Sequence, residues 1–263
     1  MPDTVSSRGL SPIDTAKYAA ARRAVEFVQN GMKVGLGTGS TADWMVRLLG
    51  QKVRQDNLHI LCVPTSKRTA DLAHAQGLAL TTLDEAQWLD LTIDGADEFD
   101  AELNLIKGGG GALLHEKIVA TASDQMIVIS DVSKQVDTLG AFPLPVEVIP
   151  FGLQSTRALI EETLVSMDVA GRKTTLRRNG DALFKTDEGN HIIDLHVQRI
   201  GHARQLALAL NQLPGVVENG LFIDTCDLVL IGHGDGHVDA QGIHDPAAAE
   251  DMALGGKNIF TDL

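Results

Sequence analysis

Short apolar runs alternate with amphipathic helical stretches through the first half of the chain, and that alternation restricts the fold more than any other feature. Residues 14–29 (DTAKYAAARRAVEFVQ) repeat Ala, Val and Phe at helical spacing, which predicts a helix stopped by Asn30-Gly31. A strand over 32–35, a glycine turn and a helix over 41–49 follow. Then come a strand over 58–63 (LHILCV), a helix over 66–76 ended by Gly77 and a strand over 89–93. A helix near 112–122 and a strand over 125–130 (QMIVIS) complete the series. Strands that alternate with helices form a mostly parallel sheet covered on both faces. Such sheets bind ligands at the carboxyl ends of their strands.

The pattern changes at FPLPVEVIPFG (142–152), where three prolines and a new strand-like run suggest a domain crossing. A helix over 153–166 is expected next, then a hairpin joining 173–178 to 182–186 across Asn179-Gly180. A strand over 191–197 and a helix over 201–212 follow, and a strand over 226–231 returns to the first sheet. The expected architecture is α/β: a Rossmann-like domain of residues 1–142 plus 214–263, with a smaller α+β, ferredoxin-like lobe over 143–213.

Charge narrows the function classes. A chain of 263 residues with a net charge of −13 is unsuited to general nucleic-acid or membrane-surface binding. An anionic small substrate would need local lysines and backbone N–H groups. The opening MPDTVSSRGL has no apolar core of a secretory signal, and no apolar run reaches the ~20 residues of a membrane helix. Cys62 and Cys226 are far apart with no CxxC, against a disulfide framework. The expectation is a cytoplasmic protein.

Four segments at strand ends carry chemistry. In VGLGTGSTA (34–42), strand, glycine turn and helix start form an anion cradle from Thr38, Gly39, Ser40 and Thr41. A ligand-free tight turn and a dinucleotide fingerprint compete with that reading. The spacing is GxGxG rather than GxGxxG, and no acidic residue follows the second strand, so phosphate or sugar phosphate is the better ligand. In TIDGADEFD (92–100), Asp94 and Asp97 end an apolar strand, where carboxylates serve as acids, bases or hydroxyl ligands; a capped polar turn is the plain alternative. In KGGGGALLHEK (107–117), the glycines allow backbone N–H groups to face a bound oxygen beside Lys107, with Glu116 in the following helix. A carboxylate base, a lysine and N–H donors suit proton abstraction next to a carbonyl. The alternative for Glu116 is an exposed helix residue near Lys117. In SDVSKQ (130–135), Lys134 can reach a phosphate or simply sit in solvent. Metal is not expected: His233, His237 and His244 lie among glycines without a helical pair or a cysteine, and His191, His196 and His202 read as strand or loop residues.

GLGTGSTA, TIDGADE, KGGGGALLHEK, SDVSKQVDTLGAFPLPVEVIP and LPGVV-x-NGLF, in this order over about residues 14–235, resemble the ribose-5-phosphate isomerase type A family. The resemblance implies cofactor-free, metal-free interconversion of D-ribose 5-phosphate and D-ribulose 5-phosphate in the non-oxidative pentose phosphate pathway. It implies Glu116 as base, with Asp94, Asp97 and Lys107 handling hydroxyls, ring opening and the enediolate. Thr38, Gly39, Ser40 and Thr41 would lie on the phosphate side, and Lys17 and Lys134 would be further substrate-binding lysines. Gly95, Ala96, Gly108, Gly109 and Gly110 would line the substrate, and the assembly would be a homodimer or homotetramer. His115 stands where the family often has Arg, GHGDGH replaces a more usual turn, and the tail beyond 245 is long. A sugar-phosphate sensor is the other class considered, but it has no need of Glu116 with Lys107, and no basic helix-turn-helix is present. A coenzyme A transferase or amino-sugar phosphate deaminase on a similar frame fits DGAD and KGGGG less well.

Overall fold

The computed structural model describes residues 9–242. In chain order the elements are α1 (Pro12–Val25), β1 (Lys33–Leu36), α2 (Ser40–Asp56), β2 (Leu61–Pro64), α3 (Lys67–Ala75), α4 (Leu83–Ala86) and β3 (Leu91–Gly95). Next are β4 (Glu98–Phe99), β5 (Leu105–Ile106), α5 (Leu113–Thr121), β6 (Met126–Asp131), β7 (Leu144–Val148) and α6 (Leu153–Ser166). The chain continues through β8 (Lys173–Leu176), β9 (Arg178–Asn179), β10 (Ala182–Leu183), β11 (His191–His196) and α7 (Ala203–Asn211). It closes with β12 (Val216–Asn219), β13 (Leu221–Phe222), β14 (Leu228–Gly232) and β15 (Val238–Gly242).

The chain divides into two compact units. The first comprises residues up to Gly95, Val119–Val132 and the chain from Cys226; the second comprises Ala96–Ile118 and Ser133–Thr225. The first unit holds a six-stranded sheet in the order β15-β14-β6-β3-β1-β2, parallel except for the β14–β15 edge pair. β6 and β14 are buried along their whole length, which is why MIVISD and LVLIG read as continuous apolar runs rather than alternating ones. The core beside the sheet joins Val34, Leu36, Met45, Leu49, Ile93 and Ile129, each fully buried. Each such side chain contributes ~1.5–3 kcal/mol.

The second unit contains an antiparallel sheet, β12-β7-β11-β8, with α6 and α7, and a small sheet, β13-β5-β4. Leu144, Val146, Ile160, Leu164, Ile193 and Leu210 form its core, all fully buried. The observed α/β class agrees with the sequence expectation.

Several elements differ from their expected bounds: α1 ends at Val25 rather than near 29, and α2 differs most. α2 runs on to Asp56 rather than ending at Leu49. Gly50 does not stop it: a Cβ there would meet Gln76 Cβ at 2.7 Å, so this glycine serves close packing. The helix ends at Asn57, whose φ of 52° is the left-handed cap. The GHGDGH segment is the turn of the β14–β15 hairpin, closed by the His233 N–H donating to His237 O at 2.9 Å. Among the described residues no helix is long and apolar enough to cross a membrane.

Candidate functional site

The residues singled out from the sequence fall into two clusters, one in each unit. In the first unit, β1 ends at Leu36 and α2 starts at Ser40, so Gly37–Gly39 form the whole connection. Gly39 caps α2 at φ 130°, a conformation other residues rarely adopt. The first N–H groups of α2 have no acceptor within the helix and carry its positive dipole end. Lys17, from α1, adds a charge there: its Nζ donates to Ser40 Oγ at 3.0 Å. Thr38, Gly39, Ser40 and Thr41 form this helix start with a lysine beside it, an arrangement chemically suited to an anion.

Asp94, fully buried at the end of β3, holds this turn onto the sheet. Its Oδ1 accepts the Thr38 N–H at 3.0 Å and the Gly95 N–H at 2.7 Å. Thr38 Oγ1 also lies 2.8 Å from both Thr65 Oγ1 and Ser66 Oγ and 3.1 Å from Thr69 Oγ1. Thr69 in turn donates to Gly37 O at 3.0 Å. The VPTSKRTADLA stretch is therefore tied to the cradle by hydroxyls.

The second cluster is built on the four glycines. Lys107 and Glu116 are 2% and 3% exposed, and their charged groups are 3.3 Å apart. Away from solvent each charge depends on the other as its partner, and removing either would strand a buried charge. The exposed-helix alternative for Glu116 is thereby excluded. Its neighbour Lys117 serves another part of the helix surface, donating to Glu218 Oε1 at 2.9 Å and to Asn219 O at 2.6 Å. Burial pulls the Lys117 amine below its ordinary value, against the opposing charge of Glu218. The Phe222 ring is within reach of two ammonium groups, its centre 5.5 Å from Lys107 Nζ and 4.9 Å from Lys117 Nζ.

Asp97 accepts the Gly109 N–H at 2.7 Å. A Cβ on Gly109 would sit 2.5 Å from Asp97 Oδ1, and one on Gly111 would sit 2.4 Å from the Phe184 ring. At both positions glycine lets the carboxylate or the ring lie directly against the backbone. Gly110 is exposed, and Gly108 is buried.

Lys134 ends a short 3₁₀ turn, Val132–Lys134, with its Nζ 6.0 Å from the centre of the Phe142 ring. Glu98 holds that segment: 4% exposed, it accepts the Gly140 N–H at 2.7 Å and the Phe142 N–H. Gly95 ends β3, and Ala96 begins the second unit. His115 pairs with Glu188 at 2.9 Å.

Sequence reasoning missed Glu98, Phe222 and Arg177. Glu98 lies inside the acidic run that was read as a turn. Arg177 donates to Gly108 O at 2.7 Å, and its signal was hidden because Asp194, with which it pairs, lies on another strand. His233 and His237 share the Asp239 carboxylate, at 2.8 and 2.9 Å, and these bonds hold Asp239 below the usual carboxylate range, His237 most. His244 and the tail after 245 lie outside the described residues. Among the described residues no cluster of His, Cys, Asp and Glu has the arrangement of a metal site.

The sequence profile of ribose 5-phosphate isomerase A (phosphoriboisomerase A) matches residues 61–236. Ribose-5-phosphate isomerase A of Ruegeria pomeroyi is 67% identical over 256 residues, 97% of this chain and 98% of that protein. The structure of ribose 5-phosphate isomerase from Plasmodium falciparum superposes with a TM-score of 0.83 at 35% identity, covering 89% of this chain and 100% of the other. A D-ribose-5-phosphate isomerase in complex with phospho-erythronic acid superposes with a TM-score of 0.81 at 38% identity, covering 88% and 99%. By profile, by near full-length identity and by fold, the chain belongs to the ribose 5-phosphate isomerase A family.

Proposed function

We propose that the chain interconverts D-ribose 5-phosphate and D-ribulose 5-phosphate by proton transfer through an enediolate, with Glu116 as the base. The observation that carries the reading is the buried Lys107–Glu116 pair, 3.3 Å apart, inside the KGGGGALLHEK segment. In the open-chain aldose, the Glu116 carboxylate takes the proton from C2. The carbonyl oxygen gains negative charge as the enediolate forms. Lys107 and the glycine-loop N–H groups offset that charge as it develops. O1 takes up a proton, the C2 hydroxyl gives one up, and return of the carbon-bound proton to C1 completes the ketose. A glutamate base doing this work in triosephosphate isomerase is a parallel in chemistry and not in fold.

The remaining roles follow from chemistry and resemblance. Lys17 and the Thr38–Thr41 turn bind the phosphate, with Lys134 as a further cation. Asp94 and Asp97 handle the sugar hydroxyls and ring opening. Gly95, Ala96 and Gly108–Gly110 line the sugar with backbone. The phospho-erythronic acid held by one relative supports a phosphorylated small molecule as ligand. The pathway is the non-oxidative branch of pentose phosphate metabolism.

The test is turnover of ribose 5-phosphate in the presence of a chelator, with Glu116→Gln alongside. The variant should lose about 10²–10⁴ in kcat, the span of general-base catalysis, while still binding the sugar phosphate. Full activity in the variant would remove Glu116 as base. Binding without turnover in the parent would favour a sugar-phosphate sensor.

A further inference from the structure

We propose that Arg177 is a positioning residue that sets the direction of the glycine-loop N–H groups, an inference that rests on the isomerase reading above. Arg177 lies between β8 and β9, and its own backbone is fixed: its N–H donates to Ile192 O and its carbonyl accepts from the Phe184 N–H, both at 2.9 Å. Its guanidinium is held by the Asp194 carboxylate through two bonds, Nε to Oδ2 at 3.0 Å and Nη2 to Oδ1 at 2.5 Å. Both side chains are largely buried, at 14% and 16% exposure. The remaining nitrogen, Nη1, donates to Gly108 O at 2.7 Å and to Gly109 O at 3.3 Å.

A trans peptide is planar, so the C=O of one residue and the N–H of the next point in opposite directions. Holding the Gly108 carbonyl on Arg177 therefore turns the Gly109 N–H the other way, and there it meets Asp97 at 2.7 Å. Holding the Gly109 carbonyl likewise turns the N–H of Gly110, an exposed residue, away from Arg177. The loop is strung between a cation on its carbonyl side and a carboxylate on its N–H side. Four consecutive glycines have many other backbone conformations, and the fork of a guanidinium selects one. Lysine cannot do this, because a single ammonium lacks the planar fork that engages carboxylate and carbonyls together.

The test measures kcat, KM, melting temperature and amide exchange of the 108–112 peptide in four proteins: the parent, Arg177→Lys, Arg177→Ala and the Arg177→Ala, Asp194→Ala pair. The pair leaves no buried carboxylate stranded, so it separates positioning from folding. We expect kcat to fall about tenfold to a hundredfold in Arg177→Lys and in the folded pair, with KM within about threefold, as loss of alignment predicts. Loop exchange should rise at least about fivefold with the melting temperature near the parent's. Added guanidinium ion should restore activity to Arg177→Ala, which keeps Asp194 to bind it, and not to the pair. A folded pair with kcat within about twofold of the parent and unchanged loop exchange would overturn the proposal. A parent that does not turn over ribose 5-phosphate would remove the isomerase reading, and loop exchange would still decide whether Arg177 orders the loop.

Discussion

Gly37→Ala should unfold the first unit's cradle through one misplaced carbon. A Cβ at this position would lie 2.0 Å from Asp94 Oδ1, 2.2 Å from Asp94 Cγ and 2.5 Å from Asp94 Cα. The carboxylate could swing aside, but the Cα belongs to the backbone of β3. Ordinary contact begins at 3.4 Å, so the turn after β1 must move about an ångström from the strand it pairs with. The Gly37 N–H, which donates to Ile93 O at 2.9 Å, resists that movement. Overpacking costs ~1–3 kcal/mol. Disturbing the backbone bonds to a buried carboxylate costs ~1.5–3 kcal/mol more. The sum is ~2.5–6 kcal/mol, on the order of 10 °C in melting temperature for a chain of this size. Circular dichroism melts read the result, with Gly95→Ala as control, since a Cβ there meets only Ile129 O at 3.9 Å. The control should melt within about 2 °C of the parent. If Gly37→Ala does the same, the close approach is not what glycine provides at this position.

Two further outcomes follow from burial. The Cys62 thiol is pushed up to about 12 by burial, and Cys226 is also buried, so neither should react with iodoacetamide at mildly alkaline pH in the native protein. Mass spectrometry should show two adducts only after denaturation, and rapid native labelling would contradict the packing of β2. Burial raises the Asp227 carboxyl above 3.8, although its Oδ2 accepts the Met126 N–H at 2.7 Å. A raised folded value favours the protonated form, so this group's contribution to stability is present below pH 3.8 and lost as pH rises through the folded value. Asp227→Asn keeps an acceptor for Met126 without the charge, so urea titrations should show it more stable than the parent at neutral pH and no more stable in acid. A less stable variant at neutral pH would refute this sign.

The parallel sheet was legible because its strands are buried on both faces and its glycine segments fall at their ends. Helix α6 begins and ends where the periodicity of 153–166 places it. The expected bound of α2 at Leu49 fell short because the helix runs through Gly50, where glycine admits Gln76 as a close neighbour. Strand β15 was invisible as an alternation, VDAQG being polar at the sheet's edge. Lys107 and Glu116 could be named as a pair from the sequence, but their burial depends on what covers them. The same limit applies to Arg177, whose role depends on Asp194 and on carbonyls far away in the chain.

The order in which strands join the first sheet matters during synthesis. β6 pairs with β3 on one side and with β14 on the other. β3 is already made when β6 leaves the ribosome, but β14 follows only after the whole run Ser133–Thr225. For roughly 5–20 s at ordinary translation rates, MIVISD is an apolar strand with one edge open to the cell. Open apolar edges recruit other chains. A nascent polypeptide paused between Asp131 and Leu228 therefore carries an unpaired β6 edge, which a chaperone would have to cover until β14 is made.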